Sequence, residues 1–75
     1  MPLLIVKTIE GVFTPSQRQT MIRKLTETMV SIEGESLRPY TTVVVEEIRS
    51  GDWGVGGDAL TTEAVKSLMA GNAKR

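Results

Sequence analysis

The sequence predicts an α+β fold in which one long helix joins two parallel strands, followed by a glycine-rich segment and a short second helix. Three observations carry this. Aliphatic, β-branched runs start at Leu3 and at Thr41, a well-capped stretch of helical period lies between them, and four glycines crowd residues 51–57. The chain of 75 residues is read as a single domain, 1–75. A domain of that size buries only about 60% of the surface its unfolded chain exposes and usually needs a staple. Cysteine and histidine are absent, which excludes disulfides and the metal-ligand sets built on those residues. Oligomerisation is the staple that remains.

The first run, Leu3-Leu4-Ile5-Val6-Lys7-Thr8-Ile9, ends at Glu10-Gly11. Its near-continuous hydrophobicity predicts a strand covered on both faces, within a parallel sheet or between subunits. Pro2 precedes it, where a strand tolerates a missing N–H. Thr14-Pro15-Ser16-Gln17 is a helix start: Thr14 caps, Pro15 takes the first helical position and Gln17 completes a capping box. Met21, Ile22, Leu25, Met29 and Ile32 then recur at helical spacing, so the Met21/Met29 stripe is expected in the core. Gly34 is the natural stop. A helix from Pro15 to Glu33 is about 28 Å long, which matches the roughly 26 Å of an eight-residue strand.

Thr41–Ile48 reads as that second strand, and the strand–helix–strand order favours a parallel pair with a right-handed crossover. The segment Ser50–Gly57 is too rich in glycine for regular helix and requires turns with positive φ. It lacks the lysine and following hydroxyl of a phosphate-binding loop. Asp58 or Thr61 can cap a second helix carrying Leu60, Ala64, Val65, Leu68 and Met69 and ending near Gly71. Asn72–Arg75 are expected to be loose.

Nine basic and nine acidic residues cancel, without the basic excess or stripe that a nucleic-acid partner requires. No apolar run reaches the roughly 20 residues that span a bilayer, and the N-terminus has no signal-peptide pattern. The expectation is a cytoplasmic protein with neither a nucleic-acid nor a membrane partner.

Taken in order, these pieces resemble the 4-oxalocrotonate tautomerase branch of the tautomerase superfamily over nearly the whole chain. The matching residues are Pro2 after Met1, Ile9-Glu10-Gly11 closing the first strand, and the helix start from Thr14 to Arg23. The valine strand ending in Glu47 matches too, and so does Gly51-Asp52-Trp53-Gly54-Val55-Gly56-Gly57, which is similar to the family's glycine-rich hairpin. The resemblance implies a β-α-β protomer with a short β-hairpin and a homohexamer made of three dimers. It also implies keto–enol chemistry run by an N-terminal proline amine, with no metal or organic cofactor. Trp53 and Ile9 correspond to the apolar wall near that proline.

The chemistry at Pro2 is conditional on removal of Met1, because an internal proline nitrogen is an amide without useful basicity. A free α-amino group titrates at about 7.7–8.0, and an apolar pocket lowers that by disfavouring the cation. Such a base works best near its own pKa. Two departures from the family pattern bear on the substrate. Dicarboxylate-handling members carry arginine just after the Glu-Gly of the first strand, where this chain has Val12-Phe13. They carry another in the second strand, at the position of Thr42. Arginine grips carboxylates bidentately, whereas a threonine hydroxyl offers one neutral hydrogen bond. The expected substrate is therefore a small enol or 2-oxo acid with at most one carboxylate. Arg38 and Arg49 are the other candidate cations, each also readable as a solvated surface charge. The same losses fit a noncatalytic or complementary subunit of a hetero-oligomer.

Overall fold

The computed structural model describes residues 1–71; the predicted loose tail, Asn72–Arg75, lies outside the described residues. Strand β1 (Leu3–Ile9) and strand β2 (Thr42–Ile48) form a parallel pair, and β3 (Trp53–Val55) and β4 (Asp58–Leu60) form an antiparallel hairpin. Helix α1 (Pro15–Glu33) connects β1 to β2, and helix α2 (Thr62–Met69) follows the hairpin. The chain divides into two compact units, one of Met1–Val6 with Thr14–Glu46 and one of Lys7–Phe13 with Glu47 onward. No described helix is long and apolar enough to cross a membrane.

In the first unit, α1 begins as its capping signal requires. The Thr14 hydroxyl accepts from the Gln17 N–H at 3.1 Å, and the Gln17 side chain accepts from the Thr14 N–H at 2.8 Å. Two of the donors that a helix start leaves unpaired are thus satisfied. At the other end Gly34, with φ of 103°, donates its N–H to the Val30 carbonyl and stops the helix. The predicted apolar stripe is narrower than its spacing suggests. Met21, Leu25 and Met29 are half-buried and Val30 is buried, whereas Ile22 is exposed and Ile32 is 76% exposed. The covered line runs 21–25–29 with a shoulder at Val30, and Ile22 and Ile32 fall beside it.

A 3-10 turn over Glu35–Tyr40, absent from the sequence-based reading, leads into β2. Arg38 ties it down by pairing with both Glu27 and Glu35. The guanidinium holds the Glu27 carboxyl below the usual carboxylate range, chiefly through their hydrogen bond. Any stability from this pair is present at neutral pH and fades as acid titrates Glu27. Thr41, predicted to open the strand, instead closes this turn: its hydroxyl bonds the Leu37 carbonyl and the Glu33 carboxylate. Pairing starts one residue later, where the Thr42 N–H donates to the Pro2 carbonyl at 3.1 Å.

Within this unit the strands alternate. Leu4, Val6, Val43 and Val45 are half-buried, while Leu3, Ile5 and Val44 are exposed, Leu3 at 60% and Ile5 at 52%. The predicted coverage of both faces is thus not met within one chain. One face is covered and the other leaves an apolar surface open.

In the second unit the Glu10 N–H continues the parallel ladder to the Ile48 carbonyl at 2.8 Å. The hairpin pairs Trp53 with Leu60 and Val55 with Asp58. That leaves a two-residue loop of Gly56 and Gly57, both at positive φ, the combination a tight hairpin turn demands. Thr61, not Asp58, caps α2 by accepting from the Ala64 N–H at 3.1 Å. Asp58 and Leu60 belong to β4, so the helix begins after both. Loss of the α1 cap in Thr14→Ala is expected to lower stability by about 1 kcal/mol, measured as an earlier denaturant midpoint with an unchanged slope.

Candidate functional site

A cavity of about 400 Å³ lies within the second unit. The end of β1 contributes Lys7, Thr8 and Ile9, and the following turn contributes Val12 and Phe13. Trp53 and Leu60, paired across the hairpin, form another wall. Helix α2 closes the cavity with Val65, Leu68 and Met69. This size falls at the lower end of the roughly 300–1,000 Å³ typical of small-molecule pockets.

A set of polar contacts holds the walls. The Glu10 carboxylate accepts from the Ser50 N–H at 3.0 Å, and the Glu10 carbonyl accepts from the Thr62 hydroxyl at 2.6 Å. The Ser50 hydroxyl in turn accepts from the Thr62 N–H at 2.9 Å. The Gly11 N–H donates to the Glu47 carboxylate at 3.3 Å. Gly11 has φ of 77°, and a Cβ there would lie 3.3 Å from the Thr62 methyl. Both the backbone angle and the close approach favour glycine. The Glu-Gly pair that ends β1 therefore has a mechanical reason to be there: it fastens the end of β1 to the start of α2.

The four sequence-predicted site residues fall in two places. Ile9, only 5% exposed, and half-buried Trp53 line the same cavity. Pro2 and Thr42 meet through the backbone hydrogen bond that opens the parallel ladder. Pro2 is half-buried and Thr42 exposed. Of the alternative cations, Arg38 is engaged by two carboxylates, which raise its already high pKa. Its fork is occupied by the protein itself. Arg49 follows β2 and is exposed. No group of three or more metal-ligating side chains occurs among the described residues.

The two polar residues of the cavity lining escaped sequence reasoning. Lys7 and Thr8 interrupt the apolar run of β1, and that interruption was the available signal. Thr8 is 8% exposed, and its hydroxyl has no hydrogen-bond partner among the described residues. An orphaned buried hydroxyl costs stability that a same-shaped apolar side chain would not.

The tautomerase enzyme family matches residues 2–63 of the chain. Among solved structures, a crystal structure of apo unfused 4-OT is similar at 29% sequence identity and a TM-score of 0.68. The match covers 85% of this chain and 98% of that one. No curated protein matches the sequence. At the cavity itself, Thr8→Val is expected to raise stability by about 1–3 kcal/mol, measured by equilibrium unfolding. A loss of stability would mean that the hydroxyl does find a partner.

Proposed function

The chain belongs to the tautomerase family, and from that premise we propose that it is a cofactor-independent keto–enol isomerase with Pro2 as general base and acid. Removal of Met1 makes the Pro2 nitrogen a secondary amine. In the ketone-forming direction this amine takes the enol hydroxyl proton, and the resulting ammonium returns a proton to the substrate carbon. The enol C=C becomes C–H and C=O, and the amine is regenerated.

The observation that carries this reading is how Pro2 is held. Its carbonyl accepts the Thr42 N–H at 3.1 Å, while its nitrogen, an amide without hydrogen as long as Met1 is attached, gives the ladder no donor. Losing the exposed Met1 therefore sacrifices no contact of that ladder. Ile9 and Trp53 supply apolar wall, and β1 intervenes between Pro2 and Ile9. We infer that neighbouring copies complete the surroundings of each Pro2. The open face bearing Leu3, Ile5 and Val44 supports association, and we infer a homohexamer of three dimers, the assembly that the resemblance implies.

The substrate is a small enol or 2-oxo acid with at most one carboxylate. Val12 and Phe13 are cavity wall where dicarboxylate-handling relatives carry an arginine, and Thr42 offers only its hydroxyl because its N–H is bonded to Pro2. The same substitutions favour one other reading, a complementary subunit that borrows arginines from a different chain of the family. Homohexamers active alone would count against it.

Intact-mass analysis of untagged protein is expected to show loss of Met1. The processed protein should ketonise a phenyl-substituted enol above the buffer rate, and Pro2→Ala should lower kcat about 10²–10⁴-fold. A processed protein with no rate above buffer, or a Pro2→Ala variant as active as the parent, would sink the proposal.

A further inference from the structure

Pro2 stands just outside β1, which begins at Leu3, and chain ends fray unless something ties them down. The Thr42 N–H ties this one, donating to the Pro2 carbonyl at 3.1 Å. The hold on Pro2 is therefore no firmer than the placement of Thr42. The preceding residue, Thr41, is half-buried and extended. Its N–H donates to the Arg38 carbonyl at 3.2 Å. Its hydroxyl is shared between the Leu37 carbonyl at 3.0 Å and the carboxylate of Glu33, the last residue of α1. One hydroxyl thus joins the end of the helix, the 3-10 turn and the start of β2. The next peptide unit along the chain carries the N–H that holds Pro2. All of these residues belong to the first unit.

We propose that Thr41 is a positioning residue for the Pro2 amine and acts through Thr42: its hydroxyl locks the turn so that the first N–H of the ladder meets the Pro2 carbonyl. The role rests on the tautomerase reading of Pro2. A general base must sit within hydrogen-bond reach of the proton it takes, and a displacement on the order of 1 Å is enough to slow a reaction severely. The Thr41 hydroxyl is engaged by the turn and the helix end, so it changes the turnover of bound substrate rather than the grip on it. Valine keeps the β-branched shape and the preference for strand and removes the hydroxyl. Serine keeps the hydroxyl and gives up the branch.

Variants of the whole, processed protein separate this role from general stability. Thr41→Val should lower kcat on a phenyl-substituted enol about three- to tenfold, the scale of one neutral hydrogen bond, with KM within about twofold. It should also speed exchange of the Thr42 amide hydrogen by a similar factor, because the opening is local. Thr41→Ser should restore both toward the parent. Thr14→Ala weakens the start of α1 without touching the turn, and should leave kcat and Thr42 exchange within about twofold of the parent. An unchanged kcat in Thr41→Val overturns the proposal. So does a rise in KM at constant kcat, a Thr41→Ser variant as slow as Thr41→Val, or an equal loss in Thr14→Ala. A parent with no rate above buffer removes the Pro2 reading itself. Thr42 exchange tests the lock without reference to catalysis, and an unchanged exchange rate in Thr41→Val overturns it in either case.

Discussion

A parallel ladder takes the carbonyl of Pro2 as an acceptor and asks nothing of its nitrogen. The Thr42 N–H fixes the residue in place at 3.1 Å, and proline has no amide hydrogen to satisfy. The strand thus opens on a residue whose carbonyl is engaged while its nitrogen, an amide until Met1 is removed, gives the ladder no donor. The proposed chemistry depends on that separation between the two backbone groups of one residue. The 3-10 turn matters for the same reason: by holding Thr41 to Leu37 and Glu33, it delivers Thr42 as the first residue of the ladder.

The second constraint is size. With one long helix, the chain covers one face of its paired strands and leaves Leu3, Ile5 and Val44 open. Polar contacts supplement the small core at the other end of the ladder. Glu10, Ser50 and Thr62 form a closed set of hydrogen bonds, and Gly11 allows the backbone to approach Thr62. These fasten the end of β1 to the start of α2, and the cavity lies among the residues so fastened.

Much of this was legible in the sequence. The run Leu3–Ile9, the Thr14/Gln17 capping box and the Gly34 stop define β1 and α1 at the residues where they occur, because each is a local signal. Pro2, Ile9 and Trp53 were proposed as site residues through the order and spacing of family-like fragments rather than by periodicity, and of these Ile9 and Trp53 line one cavity. The 3-10 turn was not legible. Its anchor is a contact from Arg38 back to Glu27, eleven residues away, which no short-range pattern encodes. Thr41 looked like strand because it is β-branched, but its hydroxyl was committed elsewhere. Ile22 and Ile32 looked like core because residues three and four apart share a helix face, yet only one line of that face is covered. Lys7 was visible as a break in an apolar run, but its place in the cavity lining required the hairpin and α2 to be in position.

The central claim is that Pro2 carries a titratable amine at the working pH. Nitrogen-15 NMR on protein labelled at proline measures this directly, since Pro15 and Pro39 are internal amides and stay silent. One proline nitrogen should titrate at or below the usual α-amino range of about 7.7–8.0, displaced downward if its surroundings are apolar. A spectrum in which no proline nitrogen titrates between about pH 4 and 10, a window that brackets that range, would contradict the account.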